Sequence, residues 1–292
     1  MINISIIIPH FNSSESLKKL LASIPNIPCI EVIVIDDHST QPVELPKTLH
    51  SNFKLVSNKY AKGAGGARNT GIEIARGDWL LFADSDDYFI EGGINQVVSA
   101  INNTDDEDIL FFPPTSSYLD TNKAAKRHLK YSDLVYSYIR DDSYKNKIML
   151  LFSHYVPWSK AINIELIKSN GIYFDETLIA NDGMFSAKCS LKSKKIKCFS
   201  EPIYNVTVSQ GSLTKIKNVE LFRIRLEVFS RMFHYLPNEY KNIIGMSPLA
   251  LIYMSRAYGR KELFRTIKFF ANNNVSFFKY FNFSSIKRFF KK

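Results

Sequence analysis

A chain of 292 residues that is 45% hydrophobic and 13% aromatic can bury a large core, which excludes a disordered polymer and leaves one large domain, or one domain with an appended segment. Cys29, Cys189 and Cys198 have no metal-ligand spacing and, being odd in number, give no disulfide framework, so a reducing compartment is expected. The net charge of +10 is a property of the end of the chain: Arg256 to Lys292 holds ten Lys/Arg against one acid, Glu262, which is +9 and leaves about +1 for everything before it.

The N-terminus runs from Met1 directly into the β-branched run Ile4 to Ile8, without a basic leader or a long apolar stretch, so it reads as a first strand and not as a signal peptide. No uninterrupted apolar run is long enough to span a bilayer. A continuous β-branched run is expected of a strand covered on both faces. Asn12-Ser13-Ser14 offers N-cap residues for a helix carrying Leu17, Leu20, Leu21 and Ile24 at helical spacing. Glu31 to Ile35 is a second buried strand, ending in Asp36-Asp37-His38-Ser39, and a short run Phe53 to Val56 follows. Gly63-Ala64-Gly65-Gly66-Ala67-Arg68-Asn69 leads into a helix with Ile72, Ile74 and Ala75 that stops at Gly77. The glycine-rich stretch is not a phosphate-binding P-loop, since no Lys-Ser/Thr follows it.

Next comes the stretch that organises the chain, an apolar run from Trp79 to Ala83 that ends in Asp84-Ser85-Asp86-Asp87. Hard divalent cations take oxygen ligands, and Mg²⁺ or Mn²⁺ is commonly held by one or two carboxylates together with substrate phosphates. An acidic turn after a strand is the plainer alternative. Strands alternating with helices imply a largely parallel α/β sheet with right-handed crossovers, whose ligand sits at the carboxyl ends of the strands. His10-Phe11-Asn12, Asp36-Asp37 and Asp84 to Asp87 should therefore converge on one crevice.

The second half is less regular. Asp105-Asp106-Glu107-Asp108 reads as a solvated loop before a strand at Ile109 to Phe112, and the polar, Tyr-rich stretch from Pro113 to about Lys147 carries no usable motif. Val156-Pro157-Trp158-Ser159-Lys160 precedes a short helix near Ile164 to Lys168. Asn181 and Asp182 suit the N-cap and first turn of a further helix. Ser209 to Thr214 is a linker or a closing loop, and Leu221, Ile224, Val228 and Met232 recur at helical spacing before Pro237. In the tail, Phe264, Phe269, Phe270, Phe277, Phe278, Tyr280, Phe281, Phe283, Phe289 and Phe290 interleave with basic residues. That composition fits a segment on an anionic membrane surface, a helix packed on the domain, or stacking on single-stranded nucleic acid.

Pro9-His10-Phe11-Asn12, Val34-Ile35-Asp36-Asp37-His38-Ser39-Thr40, Gly66-Ala67-Arg68-Asn69-Thr70-Gly71, and Ala75-Arg76-Gly77-Asp78 running into Asp84-Ser85-Asp86-Asp87 resemble the family 2 glycosyltransferases of the GT-A fold in order, spacing and letters, over roughly residues 1 to 115. The resemblance implies an α/β fold with a Rossmann-like, nucleotide-sugar-binding mixed sheet flanked by helices, followed by a C-terminal helical, basic and aromatic extension. It divides the chain into a donor half (1–115), an acceptor half (116–215) and the extension (216–292). It implies inverting transfer of a hexose, glucose or galactose, from a UDP-sugar with Mn²⁺ or Mg²⁺. The implied acceptor is a lipid-linked (undecaprenyl diphosphate) sugar of O-antigen or capsule assembly; lipooligosaccharide or a protein glycan is the alternative. The enzyme would then be cytoplasmic and peripheral on the inner face of a bacterial inner membrane, held there by its tail, with no nucleic acid as partner.

Carried over by residue, the resemblance has Phe11 beside Pro9 packing on the base and Asp37 accepting the base N–H. Arg68 and Ser85 face the donor, Asp84 lies near the ribose or behind the metal, Asp86 ligates the metal, and Asp87 orients the turn. Trp158 and Asn181 fall on the acceptor side, Asn181 standing where the family usually has Glu. Asp182 matches the general base, and Gly211 and Ser212 match a loop that closes over the donor. The chemistry asks for these groups: a sugar hydroxyl must lose its proton as it attacks, and a departing diphosphate needs positive charge. One base and one displacement invert the anomeric centre, with no carboxylate nucleophile.

Overall fold

The computed structural model describes residues 2–208, 218–277 and 279. The alternation read from the first half is present as β1 (Ile4–His10), α1 (Ser14–Ala22), β2 (Ile30–Asp36), β3 (Phe53–Ser57), α2 (Ala64–Ile74) and β4 (Trp79–Phe82). The chain continues through β5 (Tyr88–Phe89), α3 (Gly93–Asn102), β6 (Ile109–Phe111), β7 (Thr115–Tyr118), α4 (Leu129–Arg140) and α5 (Tyr144–Ser153). Then follow β8 (Lys160–Asn163), α6 (Ile164–Ser169), α7 (Asp182–Lys192), β9 (Ile196–Cys198) and β10 (Tyr204–Val208). The helices α8 (Val219–Tyr235), α9 (Asn238–Ile244), α10 (Leu249–Ser255) and α11 (Arg260–Asn272) complete the described part.

The main sheet has the order β3-β2-β1-β4-β8-β6-β9. Its first four strands are mutually parallel. β8 then enters from the other end and pairs antiparallel with both β4 and β6, so the sheet is mixed and not largely parallel throughout. A small second sheet, β5-β10-β7, lies beside it. Every residue of β1 is buried, as its β-branched run requires. Alternate residues of the parallel strands feed two cores. Ile7, Ile33, Ile35, Leu80 and Phe82 pack on the helical side that includes α2, α5, α7 and α8, while Ile6, Ile8, Val32, Val34 and Leu81 pack with α1, α3 and the aromatics Trp158 and Tyr204.

The C-terminal helices join the first of these cores through Phe222, Leu226, Phe233 and Phe270. Arg223 grips Glu262 with two bonds, Nε to Oε1 at 3.1 Å and Nη2 to Oε2 at 2.8 Å, which fixes α11 against α8. The tail therefore begins as a packed helix: Phe270 is buried, its ring 5.6 Å from that of Phe229, while Phe264 is 70% exposed. Phe278, residues 280–292, and the loop with Gly211 and Ser212 lie outside the described residues. Among the described residues no helix is long and apolar enough to cross a membrane.

α2 lies directly on β1 and β2. A Cβ added at Gly71 would come within 2.4 Å of Ile7 Cγ2 and 3.0 Å of Ile35 Cδ1. Gly71→Ala is therefore expected to destabilise by about 1–3 kcal/mol through overpacking, read as a lower urea midpoint with an unchanged m-value.

Candidate active site

The crevice is created by the way β1 loses one neighbour before the other. Its register with β4 ends at Ile7 opposite Phe82, with the Ala83 N–H donating to the Ile7 carbonyl at 3.1 Å. On the other side pairing continues to His10, whose carbonyl accepts from the Asp37 N–H at 2.8 Å. Pro9 lies two residues beyond Ile7 and so faces the β4 side past the last ladder bond, where a missing N–H leaves nothing unpaired. The sheet opens there, between strands whose connections run in opposite directions, which is where ligands of such sheets bind.

Phe11 stands at the lip of this opening, 43% exposed, with Lys62 Nζ 4.3 Å from its ring centroid. Asp37 is buried and ties the end of β2 to the glycine-rich turn, Oδ1 accepting from Asn58 Nδ2 at 2.7 Å and Oδ2 from the Gly63 N–H at 2.8 Å. The glycines that follow serve close packing: a Cβ at Gly65 would lie 2.1 Å from the Asp175 carbonyl oxygen. That approach places Arg68 in the floor, donating from Nη2 to Asp84 Oδ1 at 2.5 Å and from Nη1 to Asn181 Oδ1 at 2.9 Å. Arg68 Nε is buried without a partner among the described residues.

Asp84, Asp86 and Asp87 bring ligand atoms within 4.8 Å of one another. Two of the three are already engaged. Asp84 holds Arg68, and Asp87 accepts from Tyr204 Oη at 2.9 Å and from the Thr207 N–H at 2.7 Å. Burial and the neighbouring carboxylates Asp86 and Asp84 push the Asp87 carboxyl well above its ordinary range, so its two donors keep an acid group fixed. The same phenol accepts from the Asp84 N–H at 2.9 Å, so Tyr204 spans the turn. Asp86 reaches solvent and accepts no side-chain hydrogen bond among the described residues. Its carboxyl is crowded by the surrounding protein and then by Asp84, which together push it up to about 6. Clustered carboxylates with one left unpartnered are the donor set a hard divalent cation needs, and Asp86 is the ligand best placed to bind it. Ser85 contacts Ser13 Oγ at 2.8 Å, which lies 3.1 Å from His10 Nδ1. The Ser13 hydroxyl is thus used on the site and does not cap α1.

Asp182 opens α7 after Ala180, whose φ of 56° turns the chain sharply into the crevice. Burial raises the Asp182 carboxyl above its usual range, opposed chiefly by the charge of Arg68. Lys160, fully buried with Nζ donating to the His154 carbonyl at 2.9 Å, is pushed down to about 8 by burial and adds a nearby positive charge. Asn181 occupies the N-cap position without capping, because its oxygen is spent on Arg68 and its Nδ2 donates to the Thr177 carbonyl at 3.3 Å. The sequence leaves Trp158 open between an acceptor platform and the core, and the structure buries it. The indole is 2% exposed in the second core, two residues before β8, stacked on Tyr204 at 5.9 Å and met edge-on by Tyr131 at 5.1 Å. Tyr204, Thr207 and Lys160 belong to the site through contacts across the fold, and no local pattern around them signals a role.

The sequence matches the family described as Glycosyl transferase family 2 over residues 5–168. EpsH of Bacillus subtilis (strain 168), which its name places among glycosyltransferases, is 22% identical over 287 residues, covering 91% of this chain and 81% of EpsH. WfgD of Escherichia coli, named UDP-Glc:alpha-D-GlcNAc-diphosphoundecaprenol beta-1,3-glucosyltransferase, is 36% identical over 101 residues, 33% of this chain and 40% of WfgD. TarS of Staphylococcus aureus (strain Mu50), named poly(ribitol-phosphate) beta-N-acetylglucosaminyltransferase, is 26% identical over 221 residues, 70% of this chain and 35% of TarS. The crystal structure of S. aureus TarS 1-349 in complex with UDP-GlcNAc superposes with a TM-score of 0.68 at 21% identity, covering 93% of this chain and 80% of that one, and it shares the fold. With its mixed sheet, its crevice and this match over more than half its length, the chain belongs to glycosyl transferase family 2 and is a glycosyltransferase.

Proposed function

We propose that the protein transfers a hexose, glucose or galactose, from a UDP-sugar with inversion onto a sugar carried by undecaprenyl diphosphate, in assembly of a bacterial O-antigen or capsule. The observation that carries this reading is that Arg68 joins the two chemical halves of one crevice, touching Asp84 of the acidic turn and Asn181 beside Asp182. The names of the relatives support the substrate classes: a UDP-sugar for TarS and WfgD, and a diphosphoundecaprenol acceptor for WfgD.

Phe11 and Asp37 provide a ring and a carboxylate for the base at the β1 and β2 ends. Asp86 would hold Mn²⁺ or Mg²⁺, which when bound orients the diphosphate and neutralises the charge that builds as it leaves. Asp182, with its raised carboxyl, accepts the proton of the attacking hydroxyl more readily than an ordinary solvated aspartate. Arg68 steadies Asp84 and Asn181, so the acidic turn and the start of α7 keep their spacing. Attack from the Asp182 side and departure toward Asp86 give a single in-line displacement. An acceptor anchored in the bilayer asks for an enzyme at the membrane surface, on the cytoplasmic side where nucleotide-sugars are made.

Calorimetric titration with UDP, with and without Mn²⁺, tests the donor assignment. Binding that requires Mn²⁺ is expected. Equal affinity for GDP, or none for UDP with the metal present, would remove the UDP assignment.

A further inference from the structure

Arg127 and Lys130 are left over by this account. Between positions 123 and 130 the sequence holds Lys123, Lys126, Arg127 and Lys130 and no acid. All four are exposed, and among the described residues neither Arg127 nor Lys130 forms an ion pair with a carboxylate. We propose that Arg127 and Lys130, beside the Tyr131–Tyr155 pair, form a subsite that holds a phosphate group of the acceptor, so that phosphate-bearing acceptors are favoured over neutral glycosides. The inference rests on the transfer reading above and adds the place where the acceptor's phosphate is held.

Geometry carries it. Lys130 Nζ sits 4.4 Å from the ring centroid of Tyr155 and 5.3 Å from that of Tyr131. The two rings meet edge to face at 5.9 Å. The Tyr155 carbonyl accepts from Ser186 Oγ at 2.5 Å, and Ser186 lies one helical turn after Asp182 on the same face of α7. Tyr155 therefore connects Lys130, through its ring, to the first turns of α7, through its carbonyl. Arg127 directly precedes His128, the N-cap residue of α4, whose Nδ1 lies 2.7 Å from Ser116 Oγ of β7, so Arg127 and Lys130 leave the chain three residues apart at one anchored helix start. A guanidinium fork and an ammonium are the donors that phosphate oxygens take. The Lys130 ammonium also holds the Tyr155 phenol below its ordinary range. The named acceptors of WfgD and TarS, a diphospholipid and a poly(ribitol-phosphate), share this one feature.

The test loads the full-length protein with UDP and Mn²⁺ and titrates it with three probes: a GlcNAc-diphospho-farnesyl lipid, a ribitol-phosphate oligomer, and an alkyl GlcNAc glycoside without phosphate. At least one phosphate-bearing probe is expected to bind tenfold or more tightly than the glycoside. In Arg127→Gln/Lys130→Gln that advantage should fall to within about threefold, while Lys145→Gln, a charge lost on α5, keeps it. Preference for the lipid probe assigns the phosphate to a diphospholipid, and preference for the oligomer assigns it to a polyol phosphate. No advantage in the wild type, or an advantage that survives the double substitution, overturns the subsite. So does a loss of UDP affinity in the double variant, which would make these residues donor contacts. Failure of the wild type to bind UDP with Mn²⁺ would be a failure of the donor reading and is seen before any acceptor is added.

Discussion

Asp182→Asn is expected to lower kcat by about 10²–10⁴-fold, the usual worth of a positioned general base, with Mn²⁺-dependent UDP affinity retained. Asn keeps the size and the hydrogen-bonding edge of Asp but cannot take a proton, so the hydroxyl still binds and no longer deprotonates as it attacks. The raised carboxyl of the wild type has a visible consequence. The base must be ionised to work, so the rate falls as pH drops through a value above the ordinary aspartate range, and this acid limb should be absent from the residual activity of the variant. A variant that lost rate and UDP affinity together would mean that Asp182 shapes the donor site. A pH–rate profile with the same acid limb in both proteins would assign the base elsewhere.

Asp86→Ala is expected to remove the Mn²⁺-dependent part of UDP binding altogether. Asp84 and Asp87 cannot take over, because one is committed to Arg68 and the other to Tyr204 and Thr207. The pKa of about 6 adds a second signature. Protons and metal compete for one carboxylate whose free pKa is raised, so Mn²⁺ affinity should be level above about pH 6 and fall below it, roughly tenfold per pH unit for one proton. Titrating Mn²⁺ at several pH values in wild type and Asp86→Ala reads both effects. Undiminished metal-dependent UDP binding in the variant would move the ligand to another carboxylate.

The first half of the fold was legible because strands buried on both faces write themselves as β-branched runs, and the carboxyl ends of β1, β2 and β4 carry their polar residues as contiguous letters. The second half hid for physical reasons. β5 has two residues and β7 reads Thr-Ser-Ser-Tyr, too short and too polar for an alternation to show, yet with β10 they make the sheet that supports the acidic turn. The direction of β8 is a tertiary outcome that its own residues do not encode. Trp158 stayed ambiguous because an indole beside a lysine looks the same in sequence whether it faces a ligand or, as here, a core. Asn181 sits at a helix start, where N-capping is the ordinary role, and only the structure shows that Arg68 claims its oxygen. Site residues that lie at strand ends were visible; those that act from behind the site were not.

Tyr204 also limits how freely the two halves of the enzyme could be recombined. Its hydroxyl takes the Asp84 N–H and serves Asp87 across separations of 120 and 117 residues, so the shape of the acidic turn depends on a residue from the far side of any boundary near position 115. A chimaera that kept residues 1–115 and drew its acceptor portion from another family member would inherit a working metal turn only if the graft supplied a phenol at 204 and a free backbone N–H at 207. Tyr204 thus binds the acidic turn to the later part of the chain from one side, as Arg68 does through Asn181 from the other.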